Sequence, residues 1–145
     1  RTPMKPLIKM IVCLFAVFLV SGCGELMVEA VNVHPLVGTW IQRDVENEVM
    51  IMERTFHLDT NKYGFIFYVQ GTFLERKNAG WCGTPPIVYT NFTGQWKSET
   101  NDLLTIDVDY WGGREEYTME IISVTTSVLR FRRSDRKTAV IPFED

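Results

Sequence analysis

The chain has 145 residues, of which 46% are hydrophobic and 23% are charged, and its formal net charge is −3. This length allows one domain, and the ordinary globular composition excludes a disordered or low-complexity chain. The acidic balance lacks the basic footprint of nucleic-acid binding, so no nucleic-acid partner is expected.

The N-terminal region contains one long apolar run, Met10 to Val20, which follows the basic residues Lys5 and Lys9. The run has 11 residues, whereas a helix that crosses a hydrocarbon core about 30 Å thick needs about 20. A basic start, a short apolar run and small residues before a cleavage point are typical of a secretory signal peptide.

The four residues that close this run, Val20-Ser21-Gly22-Cys23, carry a more specific signal. They resemble the lipobox of bacterial lipoproteins, in which a hydrophobic residue and two small ones precede a cysteine. The resemblance implies that residues 1–22 are removed and that Cys23 becomes the first residue, acylated (palmitate among the acyl groups) on its sulfur and amine. Several acyl chains hold a protein at a bilayer without a spanning helix. The alternatives are a plain signal peptide with an incidental cysteine, or a membrane-anchored N-terminus.

The position after Cys23 is occupied by Gly24 rather than by aspartate. In the lipoprotein family this implies the outer membrane of a Gram-negative cell envelope. Removing Arg1, Lys5 and Lys9 lowers the basic count from 15 to 12 against 18 acidic residues, so the mature formal charge is −6. Such a domain does not bind anionic lipid by charge.

The other cysteines are Cys13, within the leader, and Cys82. The mature chain therefore has no partner for an intrachain disulfide, and we expect Cys82 to be buried or inert rather than reactive. Residues 23–34 are predicted to form a tether, and residues 35–145 the folded domain.

The body of the chain shows hydrophobic alternation with a period of two. The clearest case puts Leu104, Ile106, Val108 and Tyr110 on one face of a strand. Strands are predicted near residues 36–43, 48–57, 65–76, 87–98, 103–110, 115–123, 128–133 and 138–143, with turn-like sequences between them, including 133–137. Eight short strands predict an all-β fold, an antiparallel up-and-down meander that closes into a small barrel or forms a sandwich.

Two Gly-x-Trp triplets fall on these strands, Gly38 to Trp40 in "LVGTW" and Gly94 to Trp96 in "GQW". The first is similar to the signature of lipocalins, and the whole pattern resembles the small lipocalin-like domains of bacterial lipoproteins. The resemblance implies an eight-stranded barrel whose Trp40 plugs the closed end. It also implies that an arginine of the last strands, Arg130, Arg132 or Arg133, packs over that tryptophan.

Residues with catalytic or metal-binding chemistry are sparse. His34 and His57 lack nearby ligand partners in sequence, and alternation places Asp107 and Asp109 on the solvent face. No nucleophile motif is present. We therefore expect no catalytic residue, metal or cofactor, and no enzymatic activity.

Aromatic and apolar side chains are the remaining signal. Seven residues are expected to converge inside the barrel, as a packed core or as the lining of a pocket for a small ligand: Phe65, Phe67, Phe73, Phe92, Ile106, Tyr110 and Phe131. Trp81 and Trp111 lie in loops and are expected at a mouth or an interface. The first hypothesis is a lipid-anchored envelope protein that binds a small apolar ligand or lipid. The second is an interaction protein, an inhibitor or assembly accessory, whose loops bind an envelope protein.

Overall fold

The structure, a computed structural model, describes the backbone of residues 33–140 and the side chains of residues 33–134. The predicted signal peptide and Cys23 lie outside the described residues. Eight strands follow in order: β1 (Gly38–Glu46), β2 (Val49–Thr55), β3 (Gly64–Phe67), β4 (Thr72–Asn78), β5 (Tyr89–Ser98), β6 (Leu103–Tyr110), β7 (Gly113–Val124) and β8 (Val128–Val140). They form a closed antiparallel barrel, which confirms the predicted all-β class and closure. Within residues 33–140 no helix is present, and hence none that could cross a membrane.

The strand order departs from an up-and-down meander at one place. β1 pairs with both β2 and β3, and β8 closes the barrel on β2. The meander prediction is therefore wrong for the first three strands, because residues 56–63 must pass across β1. The reason is visible on β1, where Ile41 points away from the core yet is 7% exposed. Leu58, in the crossing segment, lies close to Gly64 and Ile41 and helps to cover this outer apolar face.

Two errors in the predicted strands offset each other in the count of eight. The predicted strand 65–76 is a hairpin, whose turn places Gly71 at φ +86° and exposes Val69 to solvent. Glycine is favoured at this position because residues with a side chain rarely adopt this backbone conformation. Conversely, the predicted turn at 133–137 lies within β8, which continues from Val128 to Val140. A register shift between Glu116 and Thr118 on β7 accommodates the long pairing.

The half of the barrel in which β1 begins and β2 and β3 end is called here the closed half, and it is filled by side chains. Its fully buried members include Trp40, Met52, Phe65, Phe67, Phe73, Leu104, Ile106, Leu129 and Phe131. Aromatic ring centroids are separated by 5.0 Å for Phe67 and Phe73, 5.2 Å for Phe65 and Phe67, and 5.7 Å for Phe65 and Phe131. Each such side chain contributes about 1.5–3 kcal/mol by burial, so this packing is a principal source of stability.

The Gly-x-Trp residues lie at this closed end. Gly38 has φ +129°, and a Cβ there would meet Nη1 of Arg54. A Cβ on Gly94 would collide with the Asp107 carbonyl oxygen on β6. Each glycine therefore permits a close approach that a side chain would hinder. The indole of Trp40 is buried, and its N–H donates a hydrogen bond to the Leu36 carbonyl at 2.8 Å.

The arginine over Trp40 comes from β2 rather than from the last strands. The guanidinium of Arg54 lies 4.1 Å from the Trp40 ring centroid and donates to the carbonyls of Pro35, Val37 and Thr126. The prediction of Arg130, Arg132 or Arg133 in this role is wrong. β2 is the strand beside β1 that reaches the closed end, whereas Arg133 lies toward the opposite end of β8.

Candidate functional site

The interior changes character halfway along the barrel. On β4 the inward side chains are Phe73, Glu75 and Lys77, so an apolar position is followed by two charged ones. β7 adds the buried Glu115, and β8 adds Arg133. We call this region, at the end of the barrel opposite the closed half, the open half, because a cavity lies over these charged side chains.

Glu75 is the centre of the charged group and has no exposed surface. Its Oε1 accepts hydrogen bonds from the hydroxyls of Tyr63 at 2.5 Å and Tyr117 at 3.1 Å, and from Nη2 of Arg133 at 2.8 Å. Its Oε2 accepts from Nζ of Lys77 at 2.7 Å. These donors satisfy both carboxylate oxygens, which is what an ionised group needs when it is removed from water.

The surroundings of Glu75 keep it ionised. Burial by itself raises the pKa of Glu75, but the charges of Arg133 and Lys77 and the donated hydrogen bonds outweigh burial, so this pKa lies below its ordinary value. Burial, followed by the charge of Glu75, raises the pKa of both Tyr63 and Tyr117 well above the usual range. At neutral pH the two phenols therefore remain protonated donors to a carboxylate.

The cations of the group retain unused donors. Lys77 Nζ bridges Glu75 and Glu115 at 2.7 Å each, which leaves one of its three N–H groups. Arg133 stacks on the Tyr117 ring at 3.5 Å, and its buried Nε has no hydrogen-bond partner among the described residues. The spare hydrogen-bonding capacity of Lys77 and Arg133 is that of donors, because neither side chain can accept a hydrogen bond.

A cavity of about 360 Å³ lies above this group. Volumes of this size are within the range of small-molecule sites. Its lining combines charged, polar and aromatic side chains: Tyr63, Lys77, Asn78, Gly80, Tyr110, Trp111, Glu115 and Arg133. Trp111 is half exposed at the rim and meets Tyr110 edge to face, with centroids 5.7 Å apart.

The loop between β4 and β5 stands beside this mouth. Its base is closed by a hydrogen bond from the Ala79 amide to the Val88 carbonyl at 2.8 Å. Trp81 and Val88 in this loop are 81% and 65% exposed. Cys82 is exposed as well, and its hydrogen bond with Thr84 lowers the pKa of the thiol. Cys82 is therefore not buried.

The residues predicted from sequence divide between the two halves. Those buried in the closed half are Phe65, Phe67, Phe73, Ile106 and Phe131. Tyr110 and Trp111 line the cavity, and Phe92 is partly buried, with its ring 5.4 Å from Nζ of Lys77. Trp81 lies on the neighbouring loop and does not line the cavity.

Sequence reasoning missed the polar residues of the open half, which are Tyr63, Glu75, Lys77, Glu115, Tyr117 in its role as a donor, and Arg133. A signal was available, because alternation from the inward Phe73 also turns Glu75 and Lys77 inward. On β7, the residue two positions before the inward Tyr117 is Glu115, so alternation also places Glu115 on the inner face. Charged residues on the inner face of a strand are a departure from the core pattern and indicate a site.

The remaining polar residues carry no comparable arrangement. Asp107 and Asp109 lie on the outer face and pair with Arg114 at 2.6 and 3.0 Å, which agrees with their predicted exposure. His34 accepts a hydrogen bond from the Leu36 amide at 3.3 Å, and His57 is exposed. Among the residues described, no cluster of three His, Cys, Asp or Glu side chains could hold a metal ion.

Comparisons with protein-family models, with curated proteins and with solved structures found no match to this chain.

Proposed function

We propose that the chain is a lipid-anchored binding protein of the bacterial cell envelope, whose lipocalin-like barrel takes a small molecule at its open end. The anchor is the acylated Cys23, and the location proposed is the outer membrane. The observation that carries the binding proposal is the 360 Å³ cavity bounded by Trp111, Tyr110 and the donors of Lys77 and Arg133. Concave sites with an apolar rim and a few convergent polar groups are typical of ligand binding.

The filled closed half restricts the ligand. Phe65, Phe67 and Phe73 occupy the apolar space in which a long acyl chain would have to lie. The ligand that suits the cavity is therefore short, with an apolar or aromatic body against Trp111 and Tyr110. This narrows the expectation of a small apolar molecule or lipid to one that also carries a polar group.

A catalytic step forms no part of the proposal. The lowered pKa of Glu75 makes it a weak base at neutral pH, and both its oxygens are occupied by donors. Tyr63 and Tyr117, with raised pKa values, are protonated at that pH and poor nucleophiles. These features support a role in holding rather than converting a ligand.

The test is native mass spectrometry of the full chain purified from cells in mild detergent. We expect a reproducible copurifying small molecule, which Trp111→Ala releases and Trp81→Ala retains. Both tryptophans are exposed, so neither change should affect folding, and only Trp111 lines the cavity. Absence of bound mass in the parent chain, together with no binding of added aromatic carboxylates, contradicts the proposal.

A second candidate function rests on the exposed apolar residues of the loop between β4 and β5. Trp81, Ile87 and Val88 are exposed, and large exposed aromatics often anchor protein interfaces. In this case the barrel is an inhibitor or assembly accessory that binds an envelope protein. Recovery of one partner from envelope extract by the parent and by Trp111→Ala, but not by Trp81→Ala, supports this function instead.

The proposed anchor has its own test in Cys23→Ser. The parent chain should carry acyl groups on its N-terminal peptide and fractionate with membranes. Cys23→Ser should lose both the acyl mass and firm membrane association. A parent chain without acyl groups at Cys23 contradicts the anchor, whatever the result for ligand binding.

A further inference from the structure

The closed end of the barrel is where the chain enters from the N-terminal side. β1 begins there at Gly38, opposite Phe67 of β3, and Thr39 lies opposite Thr55 of β2. Neighbouring strands are about 4.8 Å apart. The residues that follow β2 and β3 therefore emerge on either side of the entering chain, within about 10 Å of each other.

These flanking residues are apolar and exposed. Phe56, which follows β2, is 96% exposed, and Val69, in the turn after β3, is 62% exposed. Tyr68 and Val33 are also exposed. We call these four residues the N-terminal patch. Singly exposed apolar residues are ordinary, whereas several of them at one end of a barrel indicate a contact surface.

The chain before the patch identifies what covers it. Val33 lies ten positions after Cys23, and an extended chain of this length reaches about 35 Å. With the proposed anchor, the acylated Cys23 lies in a membrane, so the patch is held within a few tens of ångströms of a bilayer. At that effective concentration a weak apolar contact is sufficient for docking.

The opposite side of the same end has a different character. The turn between β5 and β6 lies three to four strands away from β1 around the barrel and carries Glu99 and Asp102. Carboxylates are repelled by anionic lipid headgroups. A bilayer contact at this end is therefore favoured on the side where the chain enters, which would tilt the barrel axis.

We propose that the N-terminal patch rests on the bilayer that holds the anchor, with Phe56 and Val69 among the lipid headgroups and upper acyl chains. This inference rests on the proposed lipid anchor. It directs the open half of the barrel away from the membrane, so the ligand enters from the aqueous side.

The experiment uses the full chain reconstituted into vesicles of phosphatidylethanolamine and phosphatidylglycerol with brominated acyl chains. Phe56→Trp introduces a reporter in the patch. Asn101→Trp is the matched control at the acidic side of the same end, and Val88→Trp is the control at the open end. All three positions are exposed, and the fluorescence of the parent chain is subtracted.

We expect the tryptophan at position 56 to lose at least twice the fraction of fluorescence lost at position 101 or 88. Equal losses at positions 56 and 101 overturn the inference. The mass of the N-terminal peptide, measured on the same sample, reports the anchor independently. If the chain is acylated and the fluorescence losses are equal, the membrane contact of the patch is contradicted and the anchor is supported. If the chain is not acylated and the loss is selective for position 56, the membrane contact is supported and the proposed anchor is contradicted. Unacylated chain without selective loss contradicts both.

Discussion

The two halves of the barrel interior are built on the same strands and differ in chemistry. In the closed half, the rings of Phe65, Phe67 and Phe73 pack against one another and are fully buried. In the open half, Glu75 and Lys77 form a buried ion-paired group beneath a cavity. These residues lie two and four positions after Phe73 on β4 and point to the same side of the strand. Apolar packing is therefore concentrated at one end of the barrel and the proposed binding site at the other.

This division explains why charged residues are tolerated inside a small barrel. Replacing a buried ion pair by apolar residues of similar volume is often neutral or stabilising, so such a pair is weak evidence for stability. The Glu75 group instead holds Lys77 and Arg133 in fixed positions below the cavity. Its position directly beneath the cavity supports the proposed binding role.

The largest expected effect comes from breaking the closed half. Phe65→Ala removes a ring that contacts Phe67, Phe73 and Phe131, and should lower the free energy of unfolding by about 4 kcal/mol. Urea denaturation followed by tryptophan fluorescence measures it. Phe56→Ala removes the same side chain from an exposed site and should change stability by less than about 0.5 kcal/mol. Comparable losses in the two variants would show that the closed half is not the main packing region.

The next effect comes from the open half. Glu75→Gln keeps the shape of the side chain but leaves Arg133 and Lys77 without their shared carboxylate, at a cost of about 3 kcal/mol. The control is Glu120→Gln, whose partner Arg132 lies at the surface, where an ion pair contributes less than about 1 kcal/mol. The same urea titration serves both variants. A Glu75→Gln variant as stable as Glu120→Gln contradicts the buried ion-paired group.

A smaller effect is expected from the arginine that covers Trp40. Arg54→Met keeps the aliphatic length but loses the contact with the Trp40 ring and the hydrogen bonds to Pro35, Val37 and Thr126. We expect a loss of about 1–2 kcal/mol, since cation–π contacts and single hydrogen bonds are each modest. Arg130→Met, on the outer face, is the control. An Arg54→Met variant as stable as Arg130→Met would contradict the stabilising role of Arg54.

The smallest effect is a dependence of stability on pH. The pKa of Glu75 is lower in the folded chain than its ordinary value of 4.5, so its contribution is present above that value and is lost as pH falls through the folded pKa. Urea midpoints from pH 6 to pH 2.5 should therefore fall more steeply for the parent chain than for Glu75→Gln. Parallel profiles contradict the ionised state of Glu75 in the folded barrel.

Much of the fold follows from periodicity. Alternation along 103–110 and 115–123 predicted β6 and β7 closely, because one face of each is buried and their register is fixed by that pattern. The hairpin after Phe67 was missed because apolar residues continue through Val69. The position of β1 between β2 and β3 was also missed, since pairing order depends on contacts distant in sequence, such as Leu58 near Ile41.

The site was less predictable than the fold. Aromatic residues were expected to mark it, but most of them fill the closed half, whereas Glu75 and Arg133 mark the open half. Arg133 was hidden because "RSDRK" has the composition of a turn, although β8 passes through it. The pairing of Glu75 with Arg133, 58 residues later, is a property of the closed barrel and has no local signature.

Localising a bound probe tests the division of the interior most directly. Crystals of the full chain soaked with 4-bromobenzoate, which has an aromatic ring and a carboxylate, can be examined for anomalous scattering from bromine. We expect the peak in the open half, near Trp111 and Tyr110, with the carboxylate toward Lys77. A peak among Phe65, Phe67 and Phe73 in the closed half would contradict the account.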